Sequence, residues 1–249
     1  MTFYPISAFL LFPVMIFCAL LGHRLRGKRS DAIISAATEG AVFALFGLLL
    51  AFTFSGAVAR WDDHRKLIVE EANDIGVAYL RLDLLPAAAQ PALRQDFRNY
   101  AVAAEHRFDE VPENPQSIKA TEQAEQLLSQ IWSRSVTAAV SPGANPDALR
   151  LLVPALNNMI DITATRKSSY NLHPPSIIFL LLYVFGGVCA YMAGYSMEPG
   201  KHHWLYTLSL ALTVTLTVYT TLEVEYPRRG LIRLTTQNEV FTDLINTMK

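Results

Sequence analysis

The chain has 249 residues, a net charge of −1, and 51% hydrophobic against 17% charged residues, where a soluble domain carries nearer a quarter charged. Near-neutral charge gives no electrostatic basis for nucleic acid as a partner. The apolar residues are concentrated in four unbroken stretches free of Asp, Glu, Lys, Arg and His, which excludes the alternating ten-residue segments of a transmembrane barrel.

The first stretch is Met1–Gly22, with a span expected at about 3–22. Its N-terminal flank has no Lys or Arg and no small-x-small pattern ends it, so it reads as a retained span and not a signal peptide. Residues 23–39 carry Arg24, Arg26, Lys28 and Arg29. A second span is expected at 40–59, completing a hairpin over 1–59. About 20 apolar residues rising 1.5 Å each cross a hydrocarbon core of roughly 30 Å. The other two charge-free stretches predict spans at about 175–197 and 204–222, a second hairpin over 174–222, followed by a tail over 223–249. Cys18 and Cys189 lie inside spans, where they report neither redox compartment nor metal.

Between the hairpins, residues 60–173 have helical periodicity throughout. Trp61, Ile68, Ile75 and Leu82 recur every seven residues, with Ala72 and Tyr79 on the same face. Span two is therefore expected to continue as one long helix to about Pro86. Further helices are predicted over about 90–110, opening at Pro91, over 116–140, closed by Ser141-Pro142-Gly143, and over 145–170, opening at Asn145-Pro146-Asp147. No segment has a period of two. The fold class is all-α: a multipass membrane protein with four transmembrane helices in two hairpins and a helical-bundle insertion.

Basic residues after span one, and none before it, place residues 23–39 in the cytoplasm by the positive-inside rule. The insertion would then lie outside the inner (plasma) membrane. Arg60, Arg65, Lys66, Arg166, Lys167, Arg228, Arg229 and Arg233 on the insertion side weigh the other way.

Two strings carry a family resemblance: Glu70-Glu71-Ala72-Asn73-Asp74-Ile75-Gly76-Val77-Ala78-Tyr79-Leu80-Arg81-Leu82-Asp83, after span two, and Glu223-Val224-Glu225-Tyr226-Pro227-Arg228-Arg229-Gly230-Leu231-Ile232-Arg233, after span four. With the two-pair layout, they resemble the bestrophin-like domain family of bacterial membrane proteins. That family usually has aspartates at the positions of Glu223 and Glu225, and often a basic residue at Tyr226. Its distant kinship with bestrophins implies an anion-conducting oligomer, a pentamer by the same analogy, with a cytoplasmic helical domain. The implied partners are the lipid bilayer, copies of the chain itself and inorganic ions.

Three constellations follow. Phe43, Phe46, Leu50 and Thr53 share one face of span two, and Ser209, Thr213, Thr217 and Thr220 share one face of span four, which ends at Glu223. In the channel reading Phe43, Phe46, Thr213, Thr217 and Glu223 line the path; in the plain reading the hydroxyls bond their own helix carbonyls. Asp63, Glu70, Asp74 and Arg81, extended by Glu71 and Asn73, form a polar face beyond span two. That face is either a vestibule ring or divalent-cation site, or a solvated surface paired to Arg228 and Arg229. Those two arginines could equally clamp lipid headgroups.

Small residues recur on span two (Gly40, Ala44, Gly47, Ala51, Ser55) and span three (Gly186, Ala190, Gly194), a close-packing pattern in lipid. No mid-span charge, metal-ligand spacing, phosphate loop or nucleophile elbow is present, so no enzyme, cofactor or metal is expected. A non-conducting membrane anchor with a helical binding domain is the alternative to the channel.

Overall fold

The computed structural model describes residues 5–26, 36–107, 114–198, 200–227 and 236–248. Among them every regular element is helical: a 3₁₀ turn at Pro5–Leu10, then α1 (Leu11–Arg26), α2 (Ala36–Leu80), a 3₁₀ turn at Arg81–Leu84, α3 (Gln90–His106), α4 (Pro115–Ala139), α5 (Ala148–Ser169), α6 (Ser176–Ser196), α7 (Trp204–Glu225) and α8 (Thr236–Thr247). Four helical segments are long and apolar enough to cross a membrane: Pro5–Arg26, Ala36–Leu84, Ser176–Ser196 and Trp204–Glu225.

The chain divides into two compact units. The first comprises Met1–Trp61 and His173–Ile232; the second comprises Asp62–Leu172 and Arg233–Lys249. Helix α2 supplies residues to both.

In the first unit α1 packs along α6, and the 3₁₀ turn packs on α7. Glycine permits the α1–α6 approach. A Cβ on Gly194 would lie 1.9 Å from the Ala19 carbonyl oxygen, and one on Gly22 would lie 2.1 Å from that of Tyr191. Backbones this close maximise dispersion contacts where lipid supplies no hydrophobic drive between helices. Leu11, Met15, Ala19, Phe46, Phe179, Leu182, Val214, Val218 and Leu222 form the interior. Of span three's small residues, Gly186, Ala190 and Gly194 are all buried. Those of α2 are not: Gly40, Ala44, Gly47, Ala51 and Ser55 are exposed.

In the second unit α3 packs on α4 and α8, and α4 packs on α5. Ile68, Ile75 and Leu82 of the seven-residue stripe are buried with Ala78, Phe97, Tyr100, Ile131, Leu152, Leu156, Met159 and Phe241. The helix ends follow local chemistry. Asn114 caps α4 by accepting from the Gln116 N–H at 3.0 Å, with Pro115 in the first turn. After α4 the chain turns at Gly143, whose φ of 88° favours glycine. Asn145 then accepts from the Asp147 N–H at 2.9 Å, and its own N–H donates to Leu84 at 3.0 Å, tying the start of α5 to the 3₁₀ turn.

Candidate functional site

Each unit holds a carboxylate, wholly shielded from solvent, that collects partners from distant parts of the chain. In the first unit this is Glu225, at the end of α7, with a side chain wholly shielded from solvent. Arg60, one residue past the apolar part of α2, donates to it from Nε (2.9 Å to Oε2, 3.1 Å to Oε1) and from Nη2 (2.6 Å to Oε2). His173, just ahead of α6, places Nδ1 3.1 Å from Oε1 and its ring 4.5 Å from that of Tyr226. One carboxylate thus ties the ends of three apolar spans at one end of this unit. The bidentate guanidinium fork compensates the charge that burial would otherwise penalise. Glu223, two residues before, is also buried, and the Tyr219 hydroxyl donates to it.

In the second unit the carboxylate is Glu71 on α2, again fully shielded. Arg166 of α5, equally buried, donates to Oε2, and Arg107 Nη1 lies 3.8 Å from Oε1. The Thr163 hydroxyl donates to the Met159 carbonyl at 2.8 Å and sits 3.0 Å from the Tyr100 hydroxyl. Burial, with the Glu71 charge adding to it, pushes Tyr100 above its ordinary pKa and keeps the phenol protonated.

These networks revise the expected polar face. Glu71 belongs to the interior of the second unit and not to a surface patch with Glu70. Asp63 and Glu70 are exposed, and Asp63 pairs with Lys66 at 2.9 Å. Asp74 is half-buried; desolvation, with Glu70 and Glu71 adding, raises its carboxyl above the usual range. Arg81 donates to the Leu151 carbonyl. The four are strung along the helix without converging, and among the described residues no group of three or more metal-ligating side chains gathers. Arg228 and Arg229 lie outside the described residues.

The expected lining positions separate as well. Phe46 is 4% exposed and packs into the interior of the first unit, Phe43 is half-buried against it, and Glu223 is interior. Thr213 stays on a free face, with Thr217 partly so. The Thr217 hydroxyl donates to the Thr213 carbonyl at 2.8 Å, and that of Thr220 to Leu216 at 2.9 Å, the back-bonding that satisfies a hydroxyl in an apolar medium.

A family model, Bestrophin-like domain, matches residues 8–238. The chain belongs to the bestrophin-like domain family. Both resemblance strings lie within the match, and each contributes the buried carboxylate of one unit, Glu71 from the first and Glu225 from the second. No curated protein matches the chain by sequence. Among solved structures, it is similar to a bacterial bestrophin homolog from Klebsiella pneumoniae carrying a tryptophan-to-alanine substitution (TM-score 0.77, 10% identity, 97% of this chain and 95% of the other). A structure of the Klebsiella homolog phased on zinc matches with TM-score 0.74 and 13% identity over 98% and 96% of the two chains. A proline-to-alanine variant described as a membrane protein matches at 0.73 and 13% over the same shares. At these identities the likeness establishes the fold: this bestrophin-like chain is a helical membrane protein.

Proposed function

We propose that this bestrophin-like chain assembles with copies of itself into a membrane channel for small inorganic anions, with α2 facing the assembly axis. In this reading the two apolar hairpins hold the chain in the inner membrane, and the helical insertion forms an extramembrane vestibule. The observation that carries it is the uncovered face of α2. Only 17% of its apolar window is buried in the single chain, against 50% for α6. The open surface includes a small-residue stripe, Gly40, Ala44, Gly47, Ala51 and Ser55, beside exposed Leu45, Leu48 and Phe52. Small residues at helical spacing let membrane helices approach closely, so this face suits neighbouring copies around an axis better than lipid tails.

Thr213 and Thr217 of α7 are secondary lining candidates. Phe46 and Glu223 hold the bundle together in this reading, and Phe43 borders the path.

The test is to purify the protein, measure its oligomeric mass, and record from planar bilayers under a potassium chloride gradient. A closed oligomer whose currents reverse near the chloride potential, and are abolished by Gly47→Trp, supports the reading. A monomer that passes no current refutes it and leaves the membrane-anchor reading, which the back-bonded threonines of α7 favour.

A further inference from the structure

We propose that His23 and His202 form a two-imidazole site for a borderline-soft divalent metal ion such as zinc, at the end of the first unit opposite Glu225. His23 lies in the last turn of α1 and His202 in the turn before α7. Their rings meet edge to face with centroids 5.1 Å apart. The position of His23 is fixed by the glycine-permitted contact of α1 with α6 immediately before it. His202 is held from its other side by Trp204, at 4.5 Å between ring centroids.

The Thr207 hydroxyl lies 3.4 Å from the His203 carbonyl, to which it donates, and 3.3 Å from His202 Nε2. In the proposed site Nε2 carries the proton and donates it to the Thr207 oxygen, so that Nδ1 keeps its lone pair, the arrangement by which an outer partner orients a metal-bound histidine. Nδ1 of His202 and Nδ1 of His23 are both buried, and neither has a hydrogen-bond partner.

A proton on either Nδ1 would have no acceptor, whereas a metal ion uses both lone pairs.

The spacing fits. With zinc–nitrogen bonds of about 2.0–2.1 Å, two imidazoles at the tetrahedral angle put their ring centroids about 5.2 Å apart. No third ligating side chain joins them among the described residues, so the remaining positions fall to water. A metal here would clamp α1 to the α6–α7 turn, whether or not the assembly conducts.

The experiment is calorimetric titration of zinc chloride into the full-length, tag-free protein in detergent at neutral pH. One zinc ion per chain is expected. His23→Ala and His202→Ala should each weaken binding at least about tenfold, and Thr207→Val about 10- to 100-fold, with His106→Ala unchanged as control. Unchanged zinc affinity in the double variant H23A/H202A, or no zinc uptake by the wild type, overturns the proposal. Should the histidine variants fail to fold, cobalt(II) on the wild-type protein decides. A visible ligand-field band bleached stoichiometrically by zinc supports the site, and its absence overturns it.

Discussion

Replacing Glu71 by glutamine tests how the helical unit is held together. The substitution keeps volume and one acceptor, so no cavity opens; only the charge is removed. Arg166 is then left fully buried without its counter-charge, and Arg107, 5% exposed, loses the carboxylate 3.8 Å away. Removing one partner of a buried pair costs about 3–5 kcal/mol, far more than the pair itself contributes. For a chain of this length each kcal/mol moves the melting temperature by about 2–4 °C, so the lower bound alone predicts a fall of about 6–12 °C. Arg166→Met should cost about as much. The double variant E71L/R166M should cost much less than the sum, because neither residue leaves the other orphaned and the remaining cost is that of Arg107 losing its carboxylate. That difference corresponds to a coupling of up to about 3 kcal/mol. The assay is thermal melting of the detergent-solubilised chain followed by tryptophan fluorescence, across the wild type, both single variants and the double. A Glu71→Gln shift under about 2 °C, or strict additivity in the double variant, would refute the reasoning.

Gly194→Ala should separate α1 from α6 and lower the melting temperature by several degrees, whereas Gly47→Ala, which meets nothing within 4 Å in the single chain, should not lower it and should raise it by up to about 2–4 °C through the better helix propensity of alanine. Arg60→Met should destabilise the chain by about 2–3 kcal/mol because it leaves Glu225 buried against His173 alone, and adding Glu225→Gln should restore most of the loss in the same melting assay. His202 is held below its ordinary value of 6.5 by burial, with His23 and His203 adding. The folded chain therefore binds fewer protons than the unfolded chain as pH falls through 6.5, so stability should decline across that window. His202→Gln should flatten that part of the pH–melting curve; an unchanged slope would count against the assignment.

The spans were legible because lipid imposes a local rule: twenty consecutive residues must each tolerate hydrocarbon, and runs such as Gly40–Ala59 can be read without knowing any partner. The extension of α2 was legible for a related reason, since Ile68, Ile75 and Leu82 repeat the helical period. The buried ion network was not recognised, although part of its signal was present. Glu71 lies three residues after Ile68 and four before Ile75, on the buried stripe, and Arg166 continues the stripe of Met159 and Ile162 on α5. A carboxylate and a guanidinium on the apolar faces of two helices each need a partner, and each is the other's natural solution. Glu70, next in sequence and chemically identical to Glu71, carries no such constraint and stays in solvent. The His23–His202 and Arg60–Glu225 pairs had no comparable signal, because residues more than 160 positions apart meet only once the helices pack.

Span two presents two faces, a phenylalanine face offered as a path lining by the bestrophin resemblance and a small-residue face that reads as packing. In the single chain Phe46 turns inward, and the packing role of small residues is taken by Gly22 and Gly194 between α1 and α6, where added Cβ atoms would collide with backbone. Gly40 and Gly47 of α2 meet nothing within 4 Å. Glycine in a helix costs about 1 kcal/mol relative to alanine. A close approach to another backbone offsets that cost, and among the described residues Gly40 and Gly47 have none. Its small face therefore fits a contact supplied by a second copy, and a normal oligomer in a variant carrying leucine at Gly40, Gly47 and Ala51 together would remove the basis for placing α2 at the axis.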